Sequence, residues 1–262
     1  MKALLLTAAL AAFALHAPAQ TTPAATTTPR AAPDQIPTSK GPLTVQPITH
    51  GSVVFTWSGK TIYVDPYGGA AGYTGLAAPD VILITDIHGD HLDPKTLAGL
   101  SVGKALMIVP PAVAEKLPTE YKPQVRILRN GQKLDTLGMT VSAIPMYNLP
   151  EAPDAPHTKG RGNGYVLNLG GKNVYLSGDT EDIPEMRALQ NIDVAFVCMN
   201  LPYTMDVNQA AQGVLAFKPR IVYPYHYRGQ NGLSDVASFK KQVNAANKKI
   251  DVRLRNWYPA AQ

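Results

Sequence analysis

The chain has very few cysteines. Cys198 is the only cysteine among 262 residues, and one cysteine cannot form an internal disulfide, so a disulfide-stapled scaffold is excluded. Cys198 lies in an apolar run over residues 194–199. This setting predicts a buried side chain rather than a reactive thiol.

Charged residues are also scarce, at 16% of the chain, whereas hydrophobic residues make up 45%. This balance excludes a disordered chain and is typical of one sizeable globular domain. The net charge of +5 is modest, and the basic residues are scattered apart from a cluster within residues 240–255. A solvated helix face explains that cluster better than a nucleic-acid surface, which needs a basic stripe with aromatic platforms. We therefore expect no nucleic-acid partner.

No apolar run after residue 20 is long enough to cross a bilayer, so we expect no stable membrane span. The N-terminus has a basic start, an apolar run over residues 3–15, and small residues in Ala17-Pro18-Ala19. This pattern predicts a signal peptide over residues 1–19, cleaved after Ala19, and an exported protein that is periplasmic or secreted. A short membrane anchor is the alternative interpretation.

Residues 20–42 are rich in Thr, Pro and Ala. Such a stretch cannot bury enough surface to offset its ordering entropy, so it predicts a flexible leader. The folded domain is predicted over residues 43–262. There, short β-type runs punctuated by Gly, Pro and Asn alternate with helical stretches, which favours two packed β-sheets with helices on the outer faces. Helices are predicted from Asp93-Pro94 and over Ile183–Gln190, Asp206–Phe217 and Leu233–Asn247.

Metal-ligand residue types are densest in the run Asp86-Ile-His88-Gly-Asp90-His91, directly after an apolar strand. Residues 86 and 88 are two apart, so an extended chain directs both side chains to the same side. A tight turn at Gly89 then lets Asp90 and His91 face the same cavity. A turn that only caps a helix does not explain two histidines and two aspartates. The run therefore predicts a metal site.

Three further segments carry ligand-type residues at or near strand ends: His157, Asp179 after the strand at residues 173–176, and His226 after the strand at residues 220–223. Alone, each is weak, because a single strand-end histidine or aspartate is more often a satisfied turn residue. Together and in this order, they predict one dispersed site.

This series resembles the metallo-β-lactamase-fold superfamily of metallo-hydrolases, whose signature is H-x-H-x-D-H followed by a histidine, a strand-end aspartate and a strand-end histidine. The resemblance covers residues 45–256 and implies an α/β fold, an αββα four-layer sandwich with metals in a cleft at one sheet edge. Several stretches are similar to the branch with L-ascorbate-6-phosphate lactonase-like and N-acyl-phosphatidylethanolamine phospholipase-like enzymes: His50-Gly-Ser, Val64-Asp65-Pro66, Pro145-Met-Tyr147-Asn148, residues 157–166, Ser177-Gly-Asp179-Thr180 and Tyr203-Thr-Met-Asp206.

The resemblance implies two divalent metal ions. One would be held by Asp86, His88 and His157, the other by Asp90, His91 and His226, with Asp179 bridging both. Outside the ligands, Asp65 would orient a ligand, and His50 would contact substrate or make a structural hydrogen bond.

The resemblance also implies roles in catalysis for three residues. Asp90 would guide the proton away during attack by a metal-bound hydroxide. Tyr147 and Tyr203 are candidates for protonating the leaving group or contacting the oxyanion. Ordinary packing at the cleft wall is the alternative for both tyrosines.

The sequence departs from the signature at Asp86, where histidine is expected. A third aspartate among the ligands adds negative charge, which predicts a less acidic water and a site tilted from Zn²⁺ towards Mn²⁺ or Fe²⁺. The departure also leaves open a site with one metal or none.

The sequence therefore predicts an exported metal-dependent hydrolase that cleaves an ester, a lactone or a phosphodiester in a small or lipid-like molecule. Cleavage of a β-lactam or another amide is an alternative on the same site. A non-catalytic binding protein, with Asp86 marking a decayed site, is an alternative of a different class. A di-iron redox protein is less favoured, because no flavin or haem partner domain is present.

Overall fold

The computed structural model describes residues 30–258, so the predicted signal peptide lies outside the described part of the chain. The first of two seven-stranded sheets contains, in spatial order, β1 (Asp34–Ile36), β2 (Leu43–Thr49), β3 (Ser52–Trp57), β4 (Lys60–Val64), β5 (Val81–Leu83), β6 (Leu106–Val109) and β7 (Val125–Ile127). Strands β1 to β4 pair antiparallel, and β4 to β7 pair parallel. The sheet is therefore mixed.

The second sheet is also mixed. In chain order its strands are β8 (Lys133–Thr136), β9 (Met139–Met146), β10 (Gly162–Leu169), β11 (Lys172–Leu176), β12 (Val194–Val197) and β13 (Ile221–Pro224), followed after a small hairpin of β14 (Arg228–Gly229) and β15 (Gly232–Leu233) by β16 (Asp251–Val252). Their spatial order is β16-β13-β12-β11-β10-β9-β8. The first four pair parallel and the rest antiparallel.

Five helices connect these strands: α1 (Pro94–Gly99), α2 (Pro111–Lys116), α3 (Pro184–Arg187), α4 (Val207–Phe217) and α5 (Val236–Ala246). Short 3₁₀ turns form at Ala70–Tyr73 and Thr119–Gln124. The side chain of Asp93 accepts hydrogen bonds from two backbone N–H groups of α1, and Asp206 and Asp235 cap α4 and α5 in the same way. The predicted helices are confirmed, although α3 is only one turn long.

The main hydrophobic core lies between the two sheets, where the rings of Phe55 and Phe196 meet with centroids 5.4 Å apart. On the outer face of the second sheet, Tyr175 packs against Phe217 of α4. A second core lies under α1 and α2 on the outer face of the first sheet. The layers therefore run helix, sheet, sheet, helix, which confirms the predicted sandwich. Cys198 is buried, as predicted.

The N-terminal boundary of the fold differs from the prediction. Residues 34–36 form β1, in which Ile36 is buried and Asp34 forms an ion pair with Arg255 and accepts a hydrogen bond from Tyr223. The flexible leader predicted over residues 20–42 is therefore wrong from residue 34 onward. One apolar residue and one aspartate anchor a stretch whose overall composition is that of a linker.

Within residues 30–258, every helix is either too short or too polar to cross a bilayer.

Candidate metal centre

The candidate site lies where the two sheets meet at one edge. Asp65 and Asp86 follow β4 and β5 of the first sheet, and Asp179 and His226 follow β11 and β13 of the second. Parallel strands direct their carboxyl ends to the same edge, so residues far apart in the chain converge there. Asp65 and His226 have positive φ angles of 42° and 46°, which turn the chain sharply as it leaves each strand.

Asp179 lies at the centre of the cluster. Its Oδ2 is 3.4 Å from His91 Nε2 and 3.3 Å from His157 Nε2, and its Oδ1 is 3.3 Å from His226 Nε2. The two ring nitrogens His91 Nε2 and His226 Nε2 are 3.3 Å apart. One carboxylate therefore faces three imidazoles from three different loops.

His91 is fixed from behind by the first sheet. Its Nδ1 lies 2.9 Å from Asp65 Oδ2, and the same carboxylate accepts hydrogen bonds from the backbone N–H and the hydroxyl of Thr85. All three residues are buried. A carboxylate behind an imidazole fixes the ring orientation and leaves the other nitrogen for a ligand, which is the role predicted for Asp65.

His157 is held by Asn148. The Asn148 side-chain oxygen accepts a hydrogen bond from the His157 backbone N–H and lies 3.1 Å from His157 Nδ1. The Asn148 amide donates to the Tyr203 backbone oxygen and to Glu181. Asn148 therefore joins the His157 loop to the loop that follows β12.

His50 lies at the turn between β2 and β3 and contacts Asp90. Its Nε2 is 3.0 Å from Asp90 Oδ2, and its Nδ1 is 2.7 Å from the Tyr258 hydroxyl. Asp90 Oδ2 is also 3.4 Å from His226 Nε2. Between the two roles predicted for His50, the observed contacts are hydrogen bonds that position Asp90.

Asp86 is fully buried and has two partners. Arg161 donates from Nε to Oδ1 at 3.1 Å and from a terminal nitrogen to Oδ2 at 2.9 Å, and His88 Nδ1 lies 2.9 Å from Oδ2. Burial alone would raise the pKa of Asp86, but the hydrogen bonds from His88 and Arg161 lower it to about 2. Asp86 is therefore a carboxylate whose charge a neighbouring guanidinium balances.

The remaining acids of the cluster are balanced by histidines. Burial opposes ionisation of Asp179, yet His226 and His91 hold the pKa of this carboxyl well below its usual range. Burial likewise opposes charge on His91, but the carboxylates of Asp179 and Asp65 raise the pKa of the imidazole well above its usual value. Each of these carboxylates therefore depends on a neighbouring positive charge, which a divalent cation could supply in place of protonated histidines.

The donor set fits a divalent cation. The ligand atoms of His91, Asp179 and His226 all lie within 4.8 Å of one another, and the same holds for His50, Asp90 and His226, and for Asp86, His88 and His157. Two buried atoms that face the cluster, His157 Nε2 and Asp179 Oδ1, make no hydrogen bond in the described structure. Buried polar atoms rarely stay unpaired unless an ion or a water completes them. The structure thus brings all seven predicted ligands together.

A cleft of about 420 Å³ opens beside the cluster, lined by His88, Asp90, Pro156, His157, Asp179, Asn200 and Tyr203. Of the two predicted catalytic tyrosines, Tyr203 lines this cleft and is 42% exposed. Tyr147 is buried, and its hydroxyl donates to Glu185 at 2.8 Å and accepts from Lys159. The geometry therefore favours Tyr203 for substrate contact, and packing for Tyr147.

Sequence reasoning missed Arg161. It lies in the Gly-Arg-Gly segment that follows His157. The signal was Asp86 itself, since an aspartate in place of a neutral histidine at a buried position needs a compensating cation. It also missed Tyr258, which lies 208 residues from its partner His50 and belongs to no recognisable motif.

Comparison with known proteins agrees with this geometry. The profile of a family described as a beta-lactamase superfamily domain matches residues 44–226. A UPF0173 metal-dependent hydrolase of Pyrococcus abyssi is 29% identical, over 73% of this chain and 88% of its own length. A second one, from Pyrococcus horikoshii, is 30% identical over 70% of this chain and 85% of its own.

Two solved structures share the fold. A crystal structure of a Parabacteroides distasonis protein, named there as a metal-dependent hydrolase, superimposes with a TM-score of 0.76 at 38% identity, covering 86% of this chain and 98% of that one. Igni18, a metallo hydrolase of Ignicoccus hospitalis, superimposes with a TM-score of 0.70 at 23% identity, covering 82% and 95%.

Proposed function

We propose that this chain, a metal-dependent hydrolase that belongs to the metallo-β-lactamase superfamily, cleaves a carboxylic ester or lactone. The observation that carries this choice is the charge of the cleft. None of the described residues that line it is a lysine or arginine. The two cations that follow His157 in its loop are already paired: Arg161 with Asp86, and Lys159 with Glu185 and Glu151.

This charge distribution favours a neutral electrophile. A phosphodiester brings a negative charge that hydrolases usually meet with free arginines or lysines. A neutral ester or lactone needs no such partner. Phosphodiester cleavage, the other half of the sequence-based expectation, is therefore the second choice.

The two loops that contribute Pro156 and Tyr203 to the cleft also carry exposed apolar side chains. Tyr203 lies at the cleft and is 42% exposed. Leu201, two residues before it, is 49% exposed. Leu149, on the loop that Asn148 joins to Tyr203, is 39% exposed. Exposed large apolar side chains beside a site provide a surface for the non-reacting part of a substrate. We therefore propose a substrate with an apolar group next to the ester.

Asp90, His91, Asp179 and His226 would hold a divalent ion. Such an ion acidifies water and polarises the oxygen of the bond to be cleaved. Asp90 accepts the proton released during attack while His50 fixes one of its oxygens at 3.0 Å. Tyr203 at the cleft wall contacts the developing oxyanion or the leaving group.

Arg161 supports a particular choice of ion. The preference for Mn²⁺ or Fe²⁺ that the sequence predicts depends on an extra negative charge at Asp86. Arg161 balances that charge through two hydrogen bonds. The electrostatic reason for a hard ion is thereby removed, and we propose Zn²⁺, which binds both the histidine nitrogens and the aspartate oxygens of this set.

We also propose export, because residues 1–19 have the composition of a signal peptide. N-terminal sequencing of the protein from a periplasmic or culture fraction checks this. The expected first residue is Gln20, and a mature protein that keeps Met1 would contradict export.

The substrate proposal is tested with a chromogenic panel of lactones and esters, a phosphodiester and a β-lactam, each assayed with Zn²⁺ and with Mn²⁺. We expect the ester or lactone signal to dominate and to be lost in Asp179→Asn. Asp193→Asn is the matched control, because Asp193 accepts the backbone N–H of Asn173 at the end of β11 opposite to Asp179. Cleavage of only the phosphodiester or the β-lactam would overturn the choice of substrate.

A further inference from the structure

We propose that this chain binds one divalent ion, at Asp90, His91, Asp179 and His226, and that the guanidinium of Arg161 takes the place of a second ion beside Asp86. The inference rests on the proposed function, since it concerns the metal centre of the same site. It differs from the two-ion site that the sequence resemblance implies.

Arg161 engages both oxygens of Asp86. Nε donates to Oδ1 at 3.1 Å, and a terminal nitrogen donates to Oδ2 at 2.9 Å, which is the fork geometry of a bidentate pair. Oδ2 also lies 2.9 Å from His88 Nδ1. Three of the roughly four lone-pair sites of this carboxylate thus face protein donors. An ion that bound both oxygens of Asp86 would have to displace the guanidinium.

The backbone holds Arg161 in this place. The Thr85 carbonyl oxygen, one residue before Asp86, accepts a hydrogen bond at 2.9 Å from the Asn163 backbone N–H. Between them, Gly162 packs so closely that a Cβ would lie 2.8 Å from the Thr85 oxygen. Two main-chain segments are therefore in direct contact, and this contact sets Arg161 against Asp86 without help from an ion.

Arg161 has a further anchor, since its terminal nitrogen also donates to the Pro156 carbonyl oxygen. The Arg161 side chain is only 19% exposed and that of Asp86 is fully buried. Opposite charges interact strongly at such burial, and like charges repel strongly. A divalent ion beside Asp86 would meet this repulsion from the guanidinium.

The charge balance is different at Asp90 and Asp179, in the other half of the site. In residues 30–258, every ion-pair partner of Asp90 and Asp179 is a histidine: His50, His91 and His226 for the first, and His91, His157 and His226 for the second. No lysine or arginine balances these two carboxylates. A single divalent ion supplies the two positive charges that they need, whereas Asp86 already has its cation.

With a single ion, His88 contacts the substrate instead of a metal. Its side chain is 43% exposed and lines the cleft, and Asp86 fixes the ring through Nδ1. A histidine oriented by a buried carboxylate presents its other nitrogen to whatever enters the cleft. His88 is then a substrate-facing group rather than a ligand.

Metal content decides between one ion and two. The wild-type protein is stripped, loaded with excess Zn²⁺ or Mn²⁺, passed through a desalting column and analysed by mass spectrometry of the metal against protein concentration. We expect one equivalent per chain. With Mn²⁺, electron paramagnetic resonance should show the six-line spectrum of an isolated ion without exchange coupling to a second.

Variants isolate the role of Arg161. The double change Asp86→His with Arg161→Ala creates a histidine and removes the guanidinium, and we expect it to bind a second equivalent. Asp86→His alone keeps the guanidinium and should still bind one. Arg187→Ala removes an arginine–aspartate pair away from the site and should also bind one. Far-ultraviolet circular dichroism checks that each variant is folded.

The possible results separate this inference from the proposed function. Two equivalents in the wild type, with ester hydrolysis intact, would overturn the single-ion inference and leave the function standing. No bound metal in an active protein would overturn both. If the double variant is unfolded, the wild-type stoichiometry and spectrum still decide.

Discussion

Asp65 Oδ2 lies 2.9 Å from His91 Nδ1, and both side chains are completely buried at the edge where the sheets meet. This pair links the first sheet to the metal centre, because Asp65 follows β4 while His91 faces Asp179 of the second sheet. The orientation of His91 therefore depends on a carboxylate that never touches the ion.

We expect Asp65→Asn to weaken metal binding by about 10- to 100-fold, the usual effect of removing a carboxylate behind a histidine ligand. One side-chain oxygen remains to accept the Thr85 N–H, so the fold should persist. Competition with a chelating indicator measures the metal Kd. Asp80→Asn is the control, because Asp80 accepts a backbone N–H bond from Thr61 at the opposite end of the strands. An unchanged Kd would show that Asp65 only supports the fold.

Two glycines near the site should respond differently to alanine. A Cβ on Gly51 would lie 3.1 Å from His226 Cδ2 and 3.6 Å from His91 Cε1, whereas a Cβ on Gly89 would meet nothing within 4 Å. We expect Gly51→Ala to shift His226 and lower metal affinity about tenfold, because interiors cannot absorb a methyl group without movement. Gly89→Ala should bind metal as the wild type does. Equal Kd values for the two variants would contradict this contact.

The two tyrosines provide a test of the cleft. Tyr203→Phe should lower kcat by about 100-fold if its hydroxyl donates to the reacting oxygen. Tyr147→Phe should stay within about twofold, because the Tyr147 hydroxyl is bonded to Glu185 outside the cleft. Steady-state kinetics on the best ester measures both. A larger effect at Tyr147 would restore its predicted catalytic role.

Asp34 should give β1 an acid-sensitive attachment. Burial would raise the pKa of Asp34, but hydrogen bonds from Arg255 and Tyr223 hold it below its ordinary value of 3.8. Its stabilisation is therefore complete above pH 3.8 and is lost as the pH falls through the lower pKa of the folded state. Asp34→Asn should lower the free energy of unfolding by about 1 to 2 kcal/mol at pH 6.

Calorimetry at pH 6 and at pH 3 measures this effect, and the Tm difference between wild type and Asp34→Asn should narrow at the lower pH. Glu151→Gln is the control, since Glu151 pairs with Lys159 in an exposed position and should change Tm very little. A Tm difference that does not depend on pH would mean that Asp34 acts through packing rather than charge.

Most of the site follows from local pattern. The run from Asp86 to His91 directly follows β5, and Asp179 and His226 follow β11 and β13. Apolar runs predict such strands, and parallel strands collect their carboxyl ends at one edge. The convergence of these residues at one edge could therefore be predicted from the sequence alone.

The Arg161 pair, the Tyr258 contact and strand β1 could not be predicted from the sequence, because each depends on a partner distant in the chain. The distance is 75 residues for Arg161 and Asp86, 208 for Tyr258 and His50, and 221 for Arg255 and Asp34. Pairing at such separation is set by tertiary packing, which leaves no periodicity to read. For the same reason, the sequence alone predicts an uncompensated negative charge at Asp86, whereas in the structure Arg161 balances it.

The turn at His50 links formation of the site to the segment that contains His226, Trp257 and Tyr258. Its carbonyl oxygen accepts the backbone N–H of His226, its own N–H donates to the Trp257 oxygen, and its ring bonds to the Tyr258 hydroxyl. These partners come after all of the other candidate ligands in the chain, so the turn gains its bonds only once the segment with Trp257 and Tyr258 has been synthesised. Ion capture would then follow synthesis of that segment. The metal supply in the compartment where this segment folds would then select the ion.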